Sequence, residues 1–165
     1  MKSAATFFLA ILLFSCHGSY TPPTKTGLEG KPLPPFNLLL IDSLTTFNTD
    51  SIPKGKAVVL LFVSPKCPYC RAELRDILGK SSIFNSTRFY VFTNWSFKAF
   101  RKFYHEYSLD QFKNVTAGQD TKDYFSHCFG VTSVPCTAIY NGDKILQKVF
   151  LGEVSAAQIK EEIHD

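Results

Sequence analysis

The chain has 165 residues, 45% of them hydrophobic and 15% aromatic, which is enough for one well-buried domain and too few for two of ordinary size. Its net charge of +4 is spread along the sequence with no basic block, and this argues against nucleic acid as a partner.

The first fifteen residues begin with Met1-Lys2 and run into an apolar stretch over 4–14 that is broken by a single Thr. A positive start followed by a short apolar run is the order of a secretory signal. The run is about half the ~20 residues that a membrane-spanning helix needs. It ends in Leu13-Phe14-Ser15-Cys16, which resembles the lipobox of bacterial lipoproteins, where a small residue precedes a cysteine that is lipidated and becomes the first residue of the mature chain. That resemblance implies lipidation at Cys16, a membrane reached through a lipid anchor, and a domain facing the periplasm or the cell exterior. Several acyl chains at ~0.8 kcal/mol per buried CH₂ would hold such an anchor stably. Residues 16–30, rich in Gly, Pro, Ser and Thr, read as a flexible tether, and 31–165 as the folded domain.

Within the domain, residues 36–41 and 45–48 predict a short hairpin broken at Asp42-Ser43. A turn-rich lead, Ile52-Pro53-Lys54-Gly55-Lys56, precedes the apolar strand 57–63. Cys67-Pro68-Tyr69-Cys70 follows at once and opens a helix expected over 68–79, with Pro68 in the first turn and Gly79 at the end. Residues 88–93 alternate and are aromatic, and predict the next strand. Ser96 is placed to cap a helix over 97–107, in which Phe100, Phe103, Tyr104 and Tyr107 form a stripe expected to be core. A third helix is expected over 121–129, ending before Gly130. Strands 136–140 and 145–151 are joined by Asn141-Gly142-Asp143, a hairpin signal, and a last helix spans 155–163. Strand–helix alternation that finishes in an antiparallel hairpin implies an α/β fold, with a mixed central sheet, helices on both faces and an N-terminal hairpin.

A CxxC between a strand and a helix is a redox signal. Its first cysteine sits at the open amino end of a helix, where unpaired N–H groups and the dipole stabilise a thiolate. The second cysteine, one turn on, can close a disulfide with it, so the pair can exchange two electrons with another dithiol or disulfide. Export allows such a disulfide to persist.

The ordered set Gly30-Lys31-Pro32-Leu33-Pro34-Pro35-Phe36, Gly55 to Phe62, Cys67-Pro68-Tyr69-Cys70-Arg71-Ala72-Glu73-Leu74, Phe129 to Pro135 and Asn141 to Ile145 resembles the thioredoxin superfamily. Within it, the set is similar to the membrane-tethered, thioredoxin-like disulfide reductases of the cytochrome c maturation type, related to the AhpC/TSA-like group. The resemblance implies a three-layer thioredoxin-like sandwich and a thiol-disulfide oxidoreductase, acting on protein disulfides or thiols and recharged by a membrane or periplasmic electron donor. It implies no cofactor and no metal. Cys67 and Cys70 would be catalytic. Pro135 would be cis and face them, and the backbone of Val134, with Lys66, Pro68 and Tyr69, would meet the substrate. Glu73 matches an acidic position near the site, where it would help deprotonate Cys70; its other reading is a solvent-facing first-turn glutamate.

The chain departs from its relatives where Lys66 stands in place of a common tryptophan, and where Leu61 stands in place of a buried aspartate six residues before the first cysteine. Cys128 and Cys136 are additional. They could form a structural disulfide, stay buried thiols, or act as a second redox pair. Three rival functions follow from the same residues. A peroxiredoxin would want Pro-x-x-x-Thr-x-x-Cys before its nucleophile, which residues 63–67 lack. A copper or other metal chaperone on this fold would want CxxxC and a histidine near the end of the sheet. A surface lipoprotein could hold the dithiol for structure alone.

Overall fold

A computed structural model describes residues 20–163, so the signal segment and Cys16 lie outside the described residues. The seven strands are β1 Asn37–Leu40, β2 Thr46–Asn48, β3 Ala57–Phe62, β4 Thr87–Thr93, β5 Val115–Gln119, β6 Cys136–Tyr140 and β7 Leu146–Leu151. The four helices are α1 Pro68–Gly79, α2 Phe97–Glu106, α3 Tyr124–Phe129 and α4 Ala156–Glu161. The strands form one sheet in the order β2-β1-β5-β4-β3-β6-β7. β3, β4 and β5 run parallel, while β1 and β6 flank them antiparallel. The fold class is therefore the expected mixed α/β sandwich with a hairpin at its start, Leu38 pairing Phe47.

β3 is buried at every residue, because both faces of the central sheet are covered and a strand there needs no polar side. Val59 and Leu61 pack on one face with Leu74 and Ile77 of α1, Phe100 and Phe103 of α2 and Ile159 of α4. Val58, Leu60 and Phe62 pack on the other with Phe125 and Phe129 of α3 and with Leu33, Phe36 and Ile52 from the first third of the chain. The aromatic stripe of α2 is core, as its spacing predicts: Phe100 and Phe103 are buried and Tyr104 and Tyr107 pack against the same cluster. Ser96 caps this helix, its Oγ accepting from the Ala99 N–H at 3.4 Å.

Three differences from the sequence reading have local causes. β5, Val-Thr-Ala-Gly-Gln, has no apolar alternation and reads as loop; the parallel register on β4 and the pairing with β1 make it a strand. Gly118 is needed there, because a Cβ would lie 2.9 Å from Leu38 Cβ and 3.0 Å from the Leu39 carbonyl. α3 starts at Tyr124 rather than 121 because Asp123 adopts left-handed backbone (φ 52°), and buried Asp120 accepts the N–H groups of Lys122 (3.3 Å) and Phe125 (2.8 Å). The third concerns the tether. From Thr21 to Leu33 the chain lies along β7 and its turn, with Thr24 N–H donating to the Val149 carbonyl at 2.7 Å, Gly30 N–H to Leu146 at 2.9 Å and Leu33 N–H to Lys144 at 2.8 Å. It covers what would otherwise be an open sheet edge.

Candidate active site

Cys67 is the N-cap of α1, with extended backbone (φ −75°, ψ 121°) and Pro68 in the first turn. Its Sγ accepts the Cys70 N–H at 3.3 Å and its thiol donates to the Val134 carbonyl at 3.5 Å. A sulfur at this position sits at the open amino end of the helix and takes up one of its otherwise unpaired N–H groups. The Val134–Pro135 peptide is cis, Pro135 is buried and Val134 half-buried. The structure thus brings together Cys67 and the Val134–Pro135 loop, 67 residues apart in the chain. Lys66, Pro68 and Tyr69 are exposed around them, Tyr69 at 63%.

Arg71 fixes the approach to the site. Its Nε donates to the Pro65 carbonyl at 2.9 Å, its guanidinium pairs with Glu106 of α2, and it lies over the rings of Phe103 and Tyr107 at 5.4 and 5.8 Å. The loop before Cys67 and the helix after it are held to α2 by one side chain. Sequence reasoning did not single out Arg71; its position directly after the second cysteine was the available signal.

Cys70 is fully buried and its sulfur accepts the Ser64 N–H at 3.5 Å. Burial pushes its thiol far above the ordinary cysteine range, and the neighbouring Cys67 sulfur pushes it further. Glu73, one turn on, is also completely buried, since residues 70, 73, 74 and 77 form the inward face of α1. It is not a solvent-facing helix-end residue. Thr137 Oγ1 donates to its Oε1 at 2.5 Å and the Val154 N–H to its Oε2 at 3.2 Å. Burial raises the Glu73 carboxyl from 4.5 to about 8, against these two hydrogen bonds, which favour the charged form; the Glu153 charge adds to the rise. Thr137 pairs with Leu61 across β3 and β6. An acid absent from position 61 of the strand is therefore supplied to the same layer by the helix above it. Thr137 and the Val154 amide are site contacts that sequence reasoning missed. A lone Thr in the buried run of β6 was the signal for the first; nothing in the sequence marks the second.

Cys136 is buried on the opposite face of β6, opposite Phe62, and burial together with the Glu73 charge pushes its thiol to about 12. Cys128, half-buried on α3, is raised by burial too. All four cysteines of the described residues are free thiols, so the structure describes the dithiol state of Cys67 and Cys70 and no bridge between Cys128 and Cys136. Among the described residues no three His, Cys, Asp or Glu side chains cluster as a metal site would need; His127 is exposed and bound to the Asp123 carbonyl at 2.6 Å.

A dithiol at the amino end of a helix thus lies opposite a cis-proline loop and beside a buried carboxyl group. The sequence profile of the thioredoxin-like domain matches residues 49–165. The chain belongs to the thioredoxin-like family. No match was found among curated proteins. Solved structures that it resembles include DsbF of Mycobacterium tuberculosis (24% identity, TM-score 0.65, covering 77% of this chain and 91% of that one). A secreted disulfide oxidoreductase of M. tuberculosis is similar at 22% identity and TM-score 0.64, over 77% of this chain and 92% of its own. So is an exposed lipoprotein thioredoxin of Streptococcus pneumoniae, at 24% and 0.60, over 78% and 96%. At these identities the likeness is one of fold.

Proposed function

We propose that the protein is an exported, lipid-anchored thiol-disulfide oxidoreductase that exchanges disulfides with extracytoplasmic protein thiols through Cys67 and Cys70. The observation that carries this reading is the Cys67 sulfur at the N-cap of α1, 3.3 Å from the Cys70 N–H and 3.5 Å from the Val134 carbonyl, over buried Cys70 and Glu73. In the reducing direction the Cys67 thiolate attacks one sulfur of a substrate disulfide. A Cys67–substrate disulfide forms, and the other substrate sulfur leaves as a thiolate that takes up a proton. Loss of the free Cys67 sulfur removes one of the influences that hold the Cys70 thiol protonated. Glu73 accepts the Cys70 proton, and the Cys70 thiolate attacks Cys67 Sγ. The substrate's second sulfur is expelled, and the dithiol has given two electrons to become a disulfide. An extended substrate strand is met by the Val134 backbone, with Lys66, Pro68 and Tyr69 around it.

Export rests on the charged-then-apolar amino terminus and the lipobox-like Leu13-Phe14-Ser15-Cys16. It is supported by the secreted and lipoprotein character of two of the similar structures. No described helix is long and apolar enough to cross a membrane. Four residues, 17–20, separate Cys16 from Thr21, where docking against the domain begins. The five Cα–Cα steps from Cys16 to Thr21, at ~3.6 Å each, span at most ~18 Å. Thr21 and Tyr69 line one groove of about 480 Å³, so an anchor at Cys16 holds the dithiol close to the bilayer. The favoured partners are then protein disulfides and an electron donor presented at the membrane surface.

The test is insulin reduction and the reduction potential of the reduced protein, beside Cys67→Ser and Cys70→Ser variants. Turnover lost in both variants, with a trapped mixed disulfide in Cys70→Ser, is expected. Unchanged exchange in both would overturn the assignment, and stoichiometric Cu(I) uptake without turnover would favour the metal chaperone.

A further inference from the structure

The N-terminal segment does more than cover the sheet edge. Thr21 is gripped at both ends of its backbone by one side chain, its N–H donating to Gln158 Oε1 at 3.3 Å and its carbonyl accepting from Gln158 Nε2. Its hydroxyl donates to the carbonyl of Glu153. That carbonyl belongs to the same peptide unit as the Val154 N–H, which donates to Glu73 Oε2 at 3.2 Å. A hydrogen bond received at the oxygen of an amide polarises it and strengthens its N–H as a donor. The loop is set for this contact by Gly152, whose backbone is left-handed (φ 97°) and whose N–H donates to the Pro135 carbonyl at 2.9 Å. A continuous path thus runs from the Thr21 hydroxyl through the 153–154 peptide to the Glu73 carboxyl, and from there to Thr137 and β6.

We propose that Thr21, held by Gln158, is a positioning residue for Glu73, acting through the 153–154 peptide to fix and favour its carboxylate form. The N-terminal segment is then a working part of the redox centre as well as its tether. The proposal rests on the reading of Glu73 as proton acceptor for Cys70. The titratable groups that act on or feel Glu73 are Cys70 on its own helix, Cys136 on β6 and Glu153 on the loop. All three are retained in the variants below, so their influence is common to every comparison.

The experiment is a carboxyl-carbon NMR titration of reduced full-length chain carrying ¹³C-labelled glutamate, with the Glu73 signal assigned by its loss in Glu73→Gln. It is paired with the pH profile of the step in which Cys70 resolves a preformed Cys67 mixed disulfide. Thr21→Val and Gln158→Ala are expected to move the Glu73 midpoint upward by roughly half a unit to one unit, since a weakened donor favours the protonated acid. The resolving-step profile should move with it, and Thr21→Ser should restore both. If Thr21→Val lowers the melting temperature yet leaves the Glu73 midpoint in place, the segment is only a structural strap and the proposal is overturned. If the resolving-step profile is the same in Glu73→Gln as in the parent, the proton-acceptor role falls and the proposal with it. A profile that changes in Glu73→Gln but not in Thr21→Val overturns this proposal alone.

Discussion

Replacing Glu73 with glutamine should leave stability little changed at acid pH and make the variant progressively more stable than the parent as pH rises to mildly alkaline values. In the folded protein the Glu73 carboxyl is raised from its ordinary 4.5 to about 8. Below pH 4.5 both folded and unfolded chains carry the proton and the group has no effect on stability. Between 4.5 and 8 the unfolded chain is ionised while the folded one is not, so stability falls as pH rises; above 8 both are ionised and the full cost stands. A gap of about 3.5 pH units, at ~1.4 kcal/mol per unit, sets this cost at about 5 kcal/mol. Glutamine has no such dependence. Its amide oxygen can accept the Val154 N–H and its NH2 group can donate to the Thr137 hydroxyl, so it matches the protonated acid that the parent carries at low pH. The variant should therefore exceed the parent in stability by only about 1 kcal/mol at pH 5 and by about 5 kcal/mol at pH 8.5. Urea unfolding of reduced parent and Glu73→Gln at pH 5, 6, 7 and 8.5 measures the difference directly. A difference that stays constant across that range would refute the buried, proton-retaining environment assigned to Glu73.

Alkylation of the reduced native protein at pH 8 should modify Cys67 and Cys128, which are partly accessible, ahead of Cys70 and Cys136, which are fully buried; peptide mass mapping before and after unfolding reads this. Equal labelling of all four without denaturant would contradict the burial. Gly118→Ala should destabilise the domain by ~1–3 kcal/mol, because the new Cβ meets Leu38 and the Leu39 carbonyl at about 3 Å; a thermal melt unchanged from the parent would show that β1 does not press on β5 as described. Thr137→Val removes one of the two donors to Glu73 and should raise its carboxyl above about 8, read as an upward move in the pH profile of the resolving step.

The parts of this protein that local chemistry determines were legible in the sequence. The buried run of β3, the Pro68 start of α1, the Ser96 cap, the aromatic face of α2 and the Asn-Gly-Asp hairpin each depend on residues within a few positions of one another, and each stands where the spacing puts it. Cys67 and Cys70 were legible for the same reason, since the amino end of a helix is a local feature. β5 was not, because Val-Thr-Ala-Gly-Gln becomes a strand only by pairing with neighbours on both sides, and its small residues suit the close approach of β1 rather than any propensity.

What the amino-acid sequence determined by itself is the order of elements, the dithiol and its place at a helix start. Only the tertiary structure decided what surrounds the dithiol. The Val134 carbonyl reaches Cys67 across 67 positions of the chain, and the Val154 amide reaches Glu73 across 81. Glu73 stands in the second turn of α1, where a helix position by itself lets a glutamate equally face solvent. It is the closing of α1 onto β6 and the β7–α4 loop that removes water from its carboxyl, supplies two donors in exchange and sets its proton affinity. Burial and desolvation are properties of the packed whole, and no stretch of sequence carries them alone.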